Sequence, residues 1–190
     1  LSLHGNNRTD DIQVCVACHN PRNTDREVRE ELAEAGRIPP PTDGKVEESV
    51  DFKTMIHAIH AAGIRENPLQ IVGFGGFSVH VYDEEEVQYP GRLSNCVGCH
   101  TDDGYKLPLP PGVLATTTDT GVDHESPIDD TVTTPITAVC SSCHDNNASH
   151  RVFYGGSFDT SQAAIDEGEV EEQCETCHGT GRPNEPHLGN

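Results

Sequence analysis

The sequence predicts a fold that is mostly irregular and loop-rich, with a few short α-helices laid around mass that the polypeptide itself does not supply. Three observations predict it. Only 33% of the 190 residues are apolar, with no Trp, five Phe and four Tyr, which is thin material for an ordinary protein core. Eighteen Gly and 13 Pro interrupt regular structure along the whole length. All eight Cys fall in four copies of one frame, C-x-x-C-H, at Cys15 and Cys18 with His19, Cys96 and Cys99 with His100, Cys140 and Cys143 with His144, and Cys174 and Cys177 with His178.

The frame has a chemical reason. Two thiols three residues apart lie on one side of a helical turn, where both can add to the vinyl groups of one porphyrin, and the histidine that follows comes beneath the ring to bind iron. Zinc knuckles also use C-x-x-C pairs, and thioredoxin-like dithiols use one, but neither asks for that histidine. At the chain's own frequency of 11 His in 190, finding it four times by accident has odds of about one in a hundred thousand. The sequence therefore implies four covalently bound haem c groups in a single tetrahaem domain spanning 1–190, a cytochrome c wrapped around a chain of four haems. The pigments supply the missing apolar mass, and no Cys is left over for a disulfide.

Attachment of c-type haem takes place outside the cytoplasm, so the address expected is extracellular or at the cell surface, ahead of the periplasm. No apolar run approaches the length of a membrane span, and Leu1 opens without a signal peptide or lipobox, so the chain reads as a processed, soluble product without membrane insertion. Twelve basic against 32 acidic residues give a net charge of −20, which argues against nucleic acid or anionic lipid as partner. The plain reading of that charge is a solvated acidic surface. Attraction of cations, oxidised metals included, is the functional one.

Taken in order, His4 stands eleven residues before the first haem cysteine and is a candidate distal ligand. Thr24 and Glu27 form a capping box for a helix with Val28 and Leu32 on its apolar side and Gly36 at its end, after which Pro39, Pro40 and Pro41 force an extended linker. The next helix runs from a cap at Ser49 or Asp51 to a stop at Gly63 and carries His57 and His60 on adjoining sectors of one face. In a four-haem protein each of these imidazoles serves a different iron. Met55, the single methionine, reads as packing. Ile71, Val72 and the segment from Phe77 to Tyr82 read as short strands broken by Gly73, Gly75 and Gly76, and His80 between them is equally a ligand or a half-buried strand histidine. Asp83 to Glu86 is a solvated turn.

The first cysteines of successive frames stand 81, 44 and 34 residues apart, so three haems belong to the second half. The run from Leu107 to Gly112 is an extended strap fit to lie over a porphyrin face. Thr116 to Thr134 reads as a polar, acidic loop with His124 free in it. His150 folds back towards a haem, residues 161–167 form a short helix closed by Gly168, and His187 near the end can reach an iron of this chain or of the next.

Several of these stretches resemble the extracellular decahaem cytochromes of the OmcA/MtrC type. They are His4-Gly5, the frame from Val14 to Pro21, Phe52-Lys53-Thr54-Met55-Ile56-His57-Ala58-Ile59-His60, Tyr89 to Cys96, Leu107 to Leu114, and Val139 to His144. The likeness covers one pentahaem domain of that family without its first C-x-x-C-H, and without the β-barrel domains that flank such units. The resemblance implies bis-histidine iron, closely stacked porphyrins and electron export at the cell surface. It makes His4, His57 and His60 the leading distal ligands, with His150 and His187 next.

Four irons need four distal ligands, and five histidines besides His80 are on offer. The surplus one either is left over from the missing haem or binds iron in an adjoining copy. The expectation is an electron-transfer protein and not an enzyme: a conductor that forms a homo-oligomer or filament and exchanges electrons with redox partner cytochromes or extracellular acceptors. The alternatives are a monomeric periplasmic or surface carrier, and a terminal metal or multihaem reductase, which would need one iron left open.

Overall fold

A computed structural model describes residues 2–4, 8–37, 43–73, 78–146 and 159–185. Its elements are short. A two-stranded ribbon, β1 (Ser2–Leu3) and β2 (Arg8–Thr9), precedes helix α1 (Ile12–Cys18). Helices α2 (Arg26–Glu34) and α3 (Phe52–His60) follow, then the antiparallel hairpin β3 (Leu69–Gly73) and β4 (Ser78–Tyr82). One turn of 3-10 helix spans Cys96–Gly98. The second half holds β5 (Thr116–Asp119), β6 (Thr131–Thr133), helix α4 (Pro135–Cys143), β7 (Asp159–Ser161) and two short helices, α5 (Gln162–Asp166) and α6 (Glu175–His178). Strands β5, β6 and β7 form one antiparallel sheet with β6 in the middle.

The apolar core is as small as the composition implies. Val28, Leu32 and Val72 make one cluster, backed by Val79, and Ala58, Leu69 and Ile71 make another, against which Met55, Ile59 and Tyr82 pack. Met55 is thus packing, as expected. What knits the elements together is a set of buried polar groups. Asp25 accepts two hydrogen bonds from the Arg29 guanidinium, at 2.9 and 2.6 Å, and one each from the backbone N–H of Glu48 (2.8 Å) and Val72 (2.9 Å). Arg29 also donates to the side chain and carbonyl of Gln70, at 3.0 and 2.6 Å. One fork of charge therefore ties α2, the segment before α3 and strand β3, and because every member is satisfied it does not carry the penalty of a stranded ion. Glu47, fully buried, does the same for Thr24, Arg26 and Thr120.

Two expectations are corrected. The reciprocal capping box of Thr24 and Glu27 does not form: Thr24 Oγ1 accepts from Arg26 N–H at 3.3 Å, but its own hydrogen goes to the buried Glu47, and Asp25 is the N-cap. Residues 116–134 are not simply a loop either. Thr116, Thr117, Val132 and Thr133 are buried in β5 and β6, where Thr116 Oγ1 donates to Asp51 (2.6 Å) and Thr117 Oγ1 to Asp130 (3.3 Å). The β-branched threonines suit the pleat and satisfy their hydroxyls on acids from elsewhere in the chain. Other readings hold: Asp51 caps α3, Gly36 (φ 63°) and Gly168 (φ 71°) follow α2 and α5 in the left-handed conformation glycine tolerates, and Asp83 folds the turn after β4 by accepting from Glu85 and Glu86 N–H. The triple-proline linker and Phe77 lie outside the described residues.

Asp25→Ala strands the Arg29 charge and two backbone N–H groups, so it is expected to lower stability by about 3–5 kcal/mol. Glu30→Ala, which removes only an exposed pairing with Arg26, costs under about 0.5 kcal/mol. Urea unfolding of the purified protein followed by circular dichroism measures both.

Candidate functional site

All four C-x-x-C-H frames adopt one local geometry although they sit in different elements. Frame one ends α1, frame three ends α4, frame two is the 3-10 turn and frame four is α6 with Cys174 as its N-cap. In each, the amide of the histidine donates to the carbonyl of the first cysteine: His19 to Cys15 at 2.9 Å, His100 to Cys96 at 2.9 Å, His144 to Cys140 at 2.9 Å and His178 to Cys174 at 2.8 Å. That closes a single turn, which brings both sulfurs and the imidazole to neighbouring positions. The eight thiols are free and at least partly accessible. Burial pushes the Cys140 thiol up to about 11, with Cys174 and Glu172 nearby adding to it, and burial likewise raises Cys96, Cys143 and Cys174.

Two frame histidines meet a histidine from outside the frames. His4 faces His19 with ring centroids 6.0 Å apart and planes 28° from parallel, and His57 faces His100 at 5.9 Å and 17°. Two metal–imidazole bonds of about 2 Å, with a ring radius of about 1.1 Å at each end, span roughly 6 Å, so each gap has the length of one iron held between two imidazoles. Among the described residues no group of three or more His, Cys, Asp or Glu converges on a metal position, so these imidazoles meet in pairs.

The neighbouring backbone orients the rings. His19 Nδ1 lies 2.9 Å from the Val50 carbonyl, His57 Nδ1 2.5 Å from that of Lys53 and His178 Nδ1 2.7 Å from that of Asn184. A carbonyl can only accept, so Nδ1 carries the proton and Nε2 is left with its lone pair for a metal. Burial, above all, lowers the affinity of His57 for a proton, and His100 and His60 beside it act in the same direction against the Lys53 carbonyl. A neutral imidazole is the ligating form.

Helix α3 organises the set. At its start Phe52 N–H donates to the His19 carbonyl at 2.9 Å, its second turn carries His57, and the His57 carbonyl is 3.7 Å from Cys143 Sγ in the third frame. The stretch after α3 grips the end of α4: Arg65 Nη1 donates to the Ser142 carbonyl at 2.5 Å, and Asp145 accepts from Asn67 N–H at 2.7 Å. His60 meets Tyr89 edge to face at 5.3 Å and lines a cleft of about 590 Å³ with Ile64, Glu84, Gln88 and Leu93. Some exposed apolar side chains stand beside the frames in sequence: Val14 precedes Cys15 and Val97 follows Cys96, while Ile64 lines the His60 cleft.

His80 is exposed on β4 with Nε2 hydrogen-bonded to Ser78 Oγ at 2.8 Å, and His124 is exposed in its loop. Leu107 in the strap is buried, and its carbonyl accepts from Thr180 just past the fourth frame. His150 and His187 lie outside the described residues. The sequence reading missed the orienting carbonyls, which carry no residue signature, and the roles of Arg65, Asp145 and Glu172. Pro135 behind Thr134 was the available sign of a helix start at α4.

Among the described residues no helix is long and apolar enough to cross a membrane. No curated protein and no solved structure matches the chain. Residues 1–187 match the family described as "Outer membrane cytochrome MtrC/MtrF-like, domains II/IV", which agrees with the repeated frames and the paired imidazoles. The chain therefore belongs to the MtrC/MtrF-like outer membrane cytochromes, a family that binds c-type haem.

Proposed function

We propose that the chain is a tetrahaem conductor of electrons working outside the cell or at its surface, with every iron held between two histidines. The four frames tether the porphyrins through Cys15 and Cys18, Cys96 and Cys99, Cys140 and Cys143, and Cys174 and Cys177, with His19, His100, His144 and His178 as proximal ligands. His4 is the distal ligand opposite His19, and His57 the one opposite His100. His60, His150 and His187 supply the rest. The observation that carries this reading is the two facing imidazole pairs, 6.0 and 5.9 Å apart, each joining a frame histidine to one outside the frames.

When bound, haem supplies an iron that takes up and gives back one electron. The chain's own work is to hold that iron without rearrangement. The carbonyls of Val50, Lys53 and Asn184 fix the rings of His19, His57 and His178, and the closed turn of each frame fixes the sulfurs. With two histidines given to each iron no place would remain for a substrate, which favours a conductor over a reductase. Five distal candidates for four irons leave room for a further step, in which one of them binds iron in a neighbouring copy in place of a histidine of that copy, which is then the one left over, and so builds an open, head-to-tail filament.

The intact mass is expected to exceed the 20.5 kDa of the bare chain by four haems, with a c-type pyridine haemochrome. Colourless material of the bare mass overturns the reading. All haems are expected to be low-spin. His57→Ala should turn one in four high-spin and able to bind carbon monoxide, while His80→Ala leaves the spectrum unchanged. A His57→Ala protein that stays wholly low-spin removes His57 from the ligand set. Negative-stain images are expected to show filaments, and uniform monomers would refute the assembly while leaving the conductor intact.

A further inference from the structure

The start of α4 poses a problem that a distant residue solves. A helix begins with amides that have no partner in the helix itself. Pro135 in the first position has no N–H, and the next two amides, of Ile136 and Thr137, donate to one carboxylate, that of Glu172, at 2.8 and 2.7 Å. The hydroxyls of Thr134 and Thr137 donate to the same group at 2.5 and 2.8 Å. Both threonines are buried and Glu172 is half-buried, so four donors gather on one partly shielded carboxylate. An ordinary cap comes from the residue just before the helix. This one comes from 35 to 38 residues downstream.

Its position along the chain matters. α4 runs straight from these amides to Cys140 and Cys143, and Glu172 stands two residues before Cys174. The same carboxylate therefore holds the start of the helix that ends in frame three and the leading strand of frame four. Arg65 and Asp145 lock the far end of α4 to the segment after α3, so α4 cannot swing to relieve a change at its start. Frame four has a lighter hold: Thr180 reaches the Leu107 carbonyl at 3.1 Å through its hydroxyl and 3.3 Å through its amide.

We infer that Glu172 is a positioning residue that sets the separation between the third and fourth haem attachment frames, and with it the electronic contact between those two haems. The inference rests on the tetrahaem reading above. It follows from a carboxylate arm that bridges two frames, one anchored at both ends of its helix and the other tied to the strap through Thr180.

The test uses the haem-loaded protein and two variants with opposite expected signs. Glu172→Ala releases frame four, so the separation of the third and fourth irons grows and their dipolar coupling in the ferric EPR spectrum falls. Glu172→Asp keeps the charge and the donors' partner on an arm one methylene shorter, so that separation shrinks and the coupling rises. Iron positions from anomalous scattering assign the pair, and the other iron separations stay as in the parent. Haem content is measured first: a parent without four haems overturns the tetrahaem reading itself. With four haems present, a third-to-fourth separation unchanged in both variants, or changed in the same direction in both, overturns the role of Glu172. If the alanine variant does not fold, the sign of the aspartate variant decides alone.

Discussion

In every C-x-x-C-H frame the amide of the histidine closes onto the carbonyl of the first cysteine, at 2.8 or 2.9 Å. That hydrogen bond is indifferent to what surrounds it, since it forms at the ends of α1 and α4, in an isolated 3-10 turn and in the four residues of α6. It is the bond that places two sulfurs and an imidazole on one side of the backbone, and so it is the unit from which the molecule is assembled. The rest of the chain has two tasks. It sets four such turns relative to one another, and it brings further imidazoles to face them.

Apolar burial is too scarce to do this alone, and the chain uses buried charge instead. Asp25, Glu47, Asp51 and Asp130 are all buried, and each joins segments far apart in sequence. The acidity of the composition is therefore not only a solvated coat. A fully bonded ion fork is directional where a greasy contact is not, so it fixes orientation as well as proximity. Among the described buried side-chain atoms only Asp130 Oδ1 has no partner, which shows how completely the network is satisfied.

α3 is the member to which these constraints converge. Its first amide is tied to frame one, its second turn faces frame two, and its carbonyl edge and the residues just past it touch frame three. A rigid rod of nine residues serves three frames because its first amide, a carbonyl of its second turn and the His57 ring point to different neighbours. Frame four joins through α4 and Glu172. Such an arrangement keeps the turns at fixed separations, the requirement of a chain whose members exchange electrons with their neighbours.

The sequence by itself determined the attachment chemistry, the scarcity of core, and the helices carrying Val28 and Leu32 or His57 and His60, because each depends on spacing within a few residues. Local spacing also sufficed for the short strands at Ile71, Val72 and up to Tyr82, though not for their pairing, and for the short helix before Gly168. It misled in part at Thr24, whose oxygen accepts from Arg26 N–H but whose hydrogen goes to Glu47 twenty-three residues on, and at residues 116–134, where Thr116 and Thr117 looked solvated and are buried against Asp51 and Asp130. Tertiary structure alone decided that His4 faces His19 and His57 faces His100, while His80 spends its nitrogen on Ser78. The physical reason is the same in each case: a histidine, a threonine or a carboxylate can satisfy itself in many ways, and only the arrival of a partner from a distant part of the chain selects one.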